Sequence, residues 1–455
     1  MSTPTAAQQL APHLSGPVLE PGDHGYAAEV TGFNQSARHR PATAIGVRDA
    51  AEVARAVSYG ARTGTPMAVQ ATGHGPWAPA HGDALLINTR RMNAVRVDPA
   101  TGTARVQAGA LWHQVIDAAA AHGLAPLNGS SPLVGVTGYT LGGGLALLSR
   151  AYGFAADHVT ALEVVTPDGQ ARRATAEHES DLFWALRGGK SNFGVVTALE
   201  FRLWPLTRLY GGGLYFPGTH AAQVVHAWRR WTAGLSPRTC SSLALLRMPD
   251  TPPFPPFLRG KLAVHLRLAH LGPAAEGETL SAPMRRSAPV LADTLAQMPY
   301  TRCAHIHQDP LSPLSYHERS AMLRTLDQDA ADHLLSLAGP RSRSSDLVVE
   351  LRHMGGALSR PPRVPNAVDH RDAAYCLTTL SPPHSGRPGH LVAQMARWGT
   401  GRHYLNFLAG PESASHTQAG YEPATYARLA RIKARYDPDN LFRFHHAIPP
   451  APAPR

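Results

Sequence analysis

Gly129-Ser130-Ser131-Pro132-Leu133-Val134-Gly135-Val136-Thr137-Gly138-Tyr139-Thr140-Leu141-Gly142-Gly143-Gly144 decides how this chain is read. Glycine at that density lets backbone N–H groups approach a pyrophosphate with no Cβ in the way. A second small-residue loop, Ala71-Thr72-Gly73-His74-Gly75, follows the apolar run 67–70, which reads as a buried strand. Either loop alone reads equally well as a tight turn. Together they are able to hold a dinucleotide between them. Neither follows the strand–GxGxxG–helix pattern with a downstream acid, and no GxxxxGK[ST] run occurs.

Outward from these loops the pattern is mixed. Residues 41–60 open a βαβ-like unit, with a short strand at 45–47, Asp49 as N-cap and an apolar stripe of Val53, Ala56 and Val57. Strands are expected at 85–88 and 104–108, then a helix at 111–122. Strands at 161–166 and 170–174 flank the turn Pro167-Asp168-Gly169, followed by a helix at 181–187 and a strand at 195–203. Beyond Pro205 the character changes. Strands at 210–216 and 262–268 surround a helix at 221–231, residues 310–335 read as helical, and 347–351 reads as a strand. Trp228, Trp231, Phe254 and Phe257 offer apolar area either to a core or to a bulky ligand. A strand at 404–408 and a helix at 421–436, stopped by Asp437-Pro438-Asp439-Asn440, close the chain.

Composition narrows the function class. A chain of 455 residues with 43% apolar and 16% charged residues suits two sizeable domains and not wholesale disorder. No stretch approaches the roughly 20 apolar residues of a membrane span, and residues 1–16 have no secretory pattern, so a cytoplasmic protein without membrane contact is expected. The net charge of +11 is carried by arginine, since Lys190, Lys261 and Lys433 are the only lysines. The arginines are scattered and no nucleic-acid-binding signature occurs, so nucleic acid is not expected as a partner. A positive field still favours anionic ligands. Cys240, Cys303 and Cys376 are too dispersed for a disulfide framework or a zinc site and read as buried, inert thiols. The pairs His305/His307 and His445/His446 lack a carboxylate at ligand spacing, so no metal is expected.

Specificity comes from the combination. In order the chain presents the histidine loop, Ser131-Pro132-Leu133-Val134-Gly135, the triple glycine, Tyr152-Gly153 with Asp157, Asp181-Leu-Phe-Trp-Ala-Leu-Arg-Gly-Gly189, Asn192-Phe-Gly-Val-Val-Thr197, Tyr404-Leu405-Asn406, and Arg435-Tyr-Asp-Pro-Asp-Asn-Leu-Phe-Arg443. This strongly resembles the berberine-bridge-enzyme-like branch of the vanillyl-alcohol-oxidase/p-cresol-methylhydroxylase flavoproteins. The resemblance runs from about Arg40 to Pro450 and is thin over 205–345. It implies an α+β, two-domain fold of the PCMH type. An FAD-binding domain (1–205) would be completed by a C-terminal segment (404–455). A substrate domain (206–403) would be built on a large antiparallel sheet covered by helices.

The resemblance also implies roles. His74 matches the histidine that is bound covalently to FAD, inside Thr72-Gly73-His74-Gly75 where relatives carry G-G-H-S. Serine occupies position 131, where many relatives carry a cysteine that makes a second link. A hydroxyl cannot supply that thiolate, so a single covalent link is expected. Ser131, Val134, Gly135, Gly138, Gly142, Gly143, Gly144, Asp157, Gly194, Val195, Val196 and His445 complete the expected cofactor contacts. Tyr404 and Asn406 match the Y-x-N element at the reactive face of the flavin. A tyrosine acts as a base near neutrality only if its anion is stabilised, for which a neighbouring arginine and the flavin edge are the candidates. His403 would lie on the opposite face of the strand expected there. Two departures stand out: His445-His446-Ala447-Ile448 where relatives have N-x-N-I, and Lys190 in a run that relatives keep all-glycine.

The expected activity is oxidation of a small organic substrate, with electrons passing from the flavin to O₂. Val134, at a position where a small residue leaves room for oxygen, favours an oxidase over a dehydrogenase with another acceptor. A catalytically silent flavin- or ligand-binding protein, monomeric or homodimeric like the enzyme itself, is the alternative from a different class.

Overall fold

A computed structural model describes residues 4–76, 78–252, 254–410 and 416–452. Strand Arg40–Gly46, helix Ala50–Thr63 and strand Met67–Gln70 form a unit in which both strands lie parallel to His81–Asn88, which sits between them. The helix starts where the Asp49 carboxylate accepts from the Glu52 amide at 2.8 Å, and its stripe of Val53, Ala56 and Val57 is buried. Beside it lies a five-stranded antiparallel sheet in the order Val95–Asp98, Thr103–Gln107, Val195–Arg202, Val159–Val165, Ala171–Ala174.

The third sheet is larger and antiparallel. Arg208–Pro217, Leu262–His270, Thr239–Arg247, Val348–His353, Tyr375–Ser381 and His317–Leu323 run side by side, with Ala292–Asp293 and Ala296–Pro299 both pairing with the first of them. Strand residues alternate between faces. One face carries Leu214, Leu243, Leu266, Leu351 and Leu377 and is packed under helices Ala221–Thr232, Ala274–Arg285 and Gln328–Ala338. Trp228 belongs to that covered side, buried with its Nε1 donating to Ser241 at 3.0 Å. The other face carries Tyr215, His265, Arg267, Glu350, Arg352, Thr378 and Ser320.

Two sequence expectations fail here. Residues 310–335 are not one helical stretch, because His317–Leu323 is the strand that pairs with Tyr375–Ser381. Its Ala321-Met322-Leu323 run is short and apolar, a pattern that periodicity cannot assign. Residues 404–408 are a single 3-10 turn, Leu405–Phe407, not a strand. The strands Thr239–Arg247 and Tyr375–Ser381 went unread for the same reason as the first case.

Single side chains tie these layers together. Arg150, 5% exposed, donates to the carbonyls of Met354 (2.9 Å), Ser236 (2.9 Å) and Leu235 (3.1 Å), pinning the chain just after the triple glycine to the large sheet. At the C-terminus, helix Pro423–Tyr436 carries Lys433, wholly buried against Asp437, with Nζ donating to the carbonyls of Asn192 and Phe442 at 2.8 Å. Phe442 lies in the core with Ile45, Val53 and Met67. Breaking one partner of a buried ion pair strands the other charge, at a cost of about 3–5 kcal/mol. Lys433→Met is therefore expected to lower the unfolding free energy by that amount, measured by urea denaturation of the purified protein.

Candidate functional site

The histidine loop leaves strand Met67–Gln70 and is held by the segment opposite, where Phe33 N donates to Thr72 O at 2.8 Å and Asn34 N to Gly73 O at 3.0 Å. Gly73 has φ 65°, and a Cβ there would stand 2.5 Å from Gly32 Cα, so no other residue fits. That crossing aims His74. Its ring stacks on Phe33 at 4.1 Å, Nδ1 meets the Thr72 hydroxyl at 2.9 Å, and its carbonyl accepts from Tyr316 at 3.1 Å. Nε2 is buried with no hydrogen-bond partner among the described residues. Burial pulls the imidazole down to about 4, against the opposing field of Asp309, so it is neutral. In the tautomer with hydrogen on Nδ1, the Nε2 lone pair is open.

The glycine-rich loop packs onto this one, since Gly135 lies against the Thr72 and Ala71 side chains. Ser131 is buried and accepts from Leu133 N at 3.4 Å, while Val134 is half-buried with its carbonyl bound by Trp112 N at 3.1 Å. Gly138 falls inside helix Val136–Leu141, and Gly142, Gly143 and Gly144 follow it. Tyr404 is brought to the same place. A Cβ on Gly143 would lie 3.4 Å from its hydroxyl, and one on Gly142 would lie 2.1 Å from Asn406 Oδ1 and 2.5 Å from Lys190 Nζ. The turn at Leu405–Phe407, where a strand was expected, is what points Tyr404 and Asn406 at the glycines together.

Tyr404 is 1% exposed, packed between Phe154, His370 and Phe407. Burial pushes its phenol up, helped by Cys376, while the Asn406 side chain and the backbone amides of Leu145 and Gly144 pull it down. Amide donors, not an arginine as expected, are therefore what stabilise its oxygen. His403 is engaged elsewhere, with Nδ1 2.5 Å from the Ser320 carbonyl. His445 has φ 130° and is pushed down to about 3 by burial and by Lys433 and Lys190.

Asp157 adjoins this cluster through the Phe154 corner, where Ala155 N and Ala156 N donate to the Gly144 and Gly143 carbonyls at 2.9 Å. The Asp157 carboxylate takes Arg371 (2.7 and 3.2 Å), Asn366 (2.7 Å) and the Phe154 amide (3.0 Å). Gly194 precedes strand Val195–Arg202, in which Val195 and Val196 pair with Val165 and Val164.

The large sheet contributes groups that no motif announced. Between its charged face and Leu145–Leu147 lies a small cavity of about 40 Å³ with Arg267, His307, Arg352 and His353 in its wall. Arg267 donates to Glu350 at 2.7 Å and Arg352 donates to its other oxygen at 3.1 Å. Against burial, which raises it, these guanidiniums hold Glu350 well below the carboxylate range. Glu318 is pushed up to about 8 by burial, with Arg352 opposing. The signal was present as charge at every second place of apolar strands, in His265-Leu-Arg267 and Glu350-Leu-Arg352. All three thiols are raised by burial, Cys240 and Cys303 to about 11 and Cys376 to about 12. No helix among the described residues is long and apolar enough to cross a membrane.

Comparison with known proteins agrees with this geometry. Residues 41–175 match the family model described as an FAD binding domain, and residues 403–449 match the one described as berberine and berberine like. The (R)-6-hydroxynicotine oxidase of Paenarthrobacter nicotinovorans is 28% identical, covering 98% of this chain and 99% of the relative. An FAD-linked oxidoreductase of Aspergillus terreus is 25% identical over 98% and 96% of the two chains. The structure of a xylooligosaccharide oxidase from Myceliophthora thermophila superposes with a TM-score of 0.82 at 21% identity, covering 99% of this chain and 100% of the other. The open His74 nitrogen and the paired glycine loops suit a flavin dinucleotide, and this chain is an FAD-linked oxidoreductase with an FAD binding domain and a berberine-like segment.

Proposed function

We propose that this enzyme is an oxidase that carries FAD on a single covalent bond to His74 and oxidises a small organic substrate with O₂ as electron acceptor. The observation that carries the reading is the buried, neutral His74 ring with Nε2 unpartnered at the mouth of the glycine loops. Nδ1 is engaged by Thr72, so Nε2 is the nitrogen available for the bond. Ser131 offers no second attachment. Bound there, FAD would supply a two-electron acceptor for a substrate C–H bond and a route for those electrons to O₂.

The chain's own residues supply position and proton handling. Thr72, Gly73, Gly75, Gly135, Gly138, Gly142, Gly143 and Gly144 form the proposed cofactor surface, joined by Val134 and His445. Asp157 serves it through the Arg371 and Asn366 contacts that fix the Phe154 corner. Tyr404 and Asn406 stand beside the reacting bond. With its phenol raised by burial, Tyr404 acts as a neutral hydrogen-bonding group until substrate arrives, its oxygen already accepting from amides. The charged face of the large sheet, Arg267, Glu350, Arg352 and Glu318, is the wall that orients substrate, and a paired but partly open guanidinium cluster suits a polar molecule with hydrogen-bond acceptors. The resemblance to oxidases named for hydroxynicotine and for oligosaccharides supports the reaction class.

Intact-protein mass spectrometry tests the link. The wild-type chain is expected to exceed its sequence mass by one FAD, and His74→Ala to fall back to the sequence mass. Flavin released by acid from the wild type would overturn the covalent reading.

Tyr404→Phe is expected to retain bound flavin and to slow its reduction by about 10²-fold or more, the usual scale of a proton-transfer contribution. The measurement is anaerobic stopped-flow with a substrate found by screening for peroxide release. Val134→Leu adds a methylene beside the proposed flavin edge and is expected to slow reoxidation by O₂ while leaving reduction unchanged. Mixing photoreduced enzyme with aerated buffer reads this. Wild-type reoxidation lasting many minutes would favour a dehydrogenase.

A further inference from the structure

Lys190 has φ 60°, a left-handed backbone that glycine adopts freely and lysine rarely does. From that position its side chain folds back over Gly142, where Nζ donates to Asn406 Oδ1 and lies 3.5 Å from the Gly138 carbonyl. The other end of the same amide, Asn406 Nδ2, donates to the Tyr139 carbonyl at 2.8 Å and to the Tyr404 hydroxyl at 3.3 Å. Burial draws the Lys190 amine down to about 7, with Glu318 opposing; in either form it has N–H groups to donate to Oδ1, whereas the Tyr139 carbonyl only accepts. Between Lys190 and Tyr139 the Asn406 amide therefore has one permitted orientation, with its N–H toward Tyr404.

The consequence falls on the phenol oxygen. It receives the Asn406 amide together with the backbone N–H groups of Gly144 and Leu145. Protein donors thus take the lone pairs of that oxygen, which leaves the hydroxyl proton free to be donated to a substrate. Without Lys190, Asn406 Oδ1 loses that donor and the amide is held by Tyr139 alone. It is then free to tilt away from Tyr404 or to present its oxygen, which would draw the hydroxyl proton back into the protein.

We propose that Lys190 is a positioning residue for C–H oxidation, acting through the Asn406 amide to hold Tyr404 with its oxygen bound by protein donors and its proton facing the substrate. The inference rests on the reading of Tyr404 as the group beside the reacting bond, and it assigns a task to a lysine that the sequence pattern alone leaves without one.

The test uses the flavin-loaded enzyme labelled with meta-fluorotyrosine, whose fluorine resonance responds to hydrogen bonding at the phenol oxygen. The Tyr404 signal is the one absent from Tyr404→Phe. Lys190→Met is expected to displace that signal, and Lys190→Gly, which suits the left-handed backbone, to displace it equally. Lys190→Arg keeps N–H groups to donate and is expected to hold the wild-type position. In an Asn406→Ala background, Lys190→Met is expected to add no displacement, because the coupling runs through the amide. A Tyr404 signal unmoved by Lys190→Met overturns the proposal. So does an equal displacement in the Asn406→Ala background, or a Lys190→Arg protein that behaves like Lys190→Met. Visible absorbance of the same samples reads the flavin separately, so colourless protein counts against the flavin site and leaves the relay measurable.

Discussion

The Lys433 ammonium has no access to water, and its charge is balanced by an equally buried Asp437 carboxylate and by the carbonyls of Asn192 and Phe442. A cation in such a place is tolerated only when every donor finds an acceptor. That requirement fixes three stretches of chain at once. Asn192 uses its own amide to grip the carbonyls of Gly189 and His446 at 2.8 and 2.9 Å and its side-chain oxygen to accept from Ile448. Leu441 accepts from the Met67 amide at 2.8 Å, which starts the strand that ends in the His74 loop. The last residues of the chain and its first ligand loop thus share one electrostatic anchor, and Lys190 hangs two residues before it.

Desolvation divides the site into two electrical halves. On the side of the glycine loops it drives imidazoles neutral: His74 to about 4, His370 and His445 to about 3. Neutral rings keep lone pairs and repel no cation, which suits a surface made to hold a large cofactor. On the sheet side, charges survive burial because they are paired: Glu350 by Arg267 and Arg352. Glu318, on the same face of the sheet, is pushed up to about 8 by burial, with Arg352 opposing. Tyr404 stands on the boundary, packed against His370 on one side and near the Cys376 strand on the other.

What the sequence made legible follows the same division. The two glycine loops were readable because no Cβ is tolerated at Gly73 or Gly142, and the family resemblance singled out His74, Tyr404 and Asn406, which the structure sets around those loops. The α+β class and the first βαβ-like unit were readable from a capped, striped helix between short apolar runs. The strand His317–Leu323 was not, since its three apolar residues fit either period. Nor was the turn at Leu405–Phe407, where Tyr-Leu-Asn-Phe-Leu alternates as a strand would, yet Phe407 N donates back to Tyr404 O at 2.9 Å and Asn406 bonds to Tyr139 and Lys190. Lys190 was visible as a departure from glycine, but its partner lies 216 residues away.

The charged face of the large sheet was the least legible part, and its physics explains why. Its outer face is held by packing against three helices, so Leu and Val recur there for reasons any sheet shares. Its inner face is a coupled cluster in which Glu350 serves two arginines and Arg267 also donates to His265 at 3.1 Å. Removing one member leaves a buried charge unpaired, at a cost of about 3–5 kcal/mol. Members of such a cluster can therefore be exchanged only together, as a block, for another self-consistent set. A wall that changes by blocks leaves no single residue to serve as a motif. It also allows the wall proposed to orient substrate to be rebuilt on rigid strands without disturbing the loops proposed to hold the cofactor.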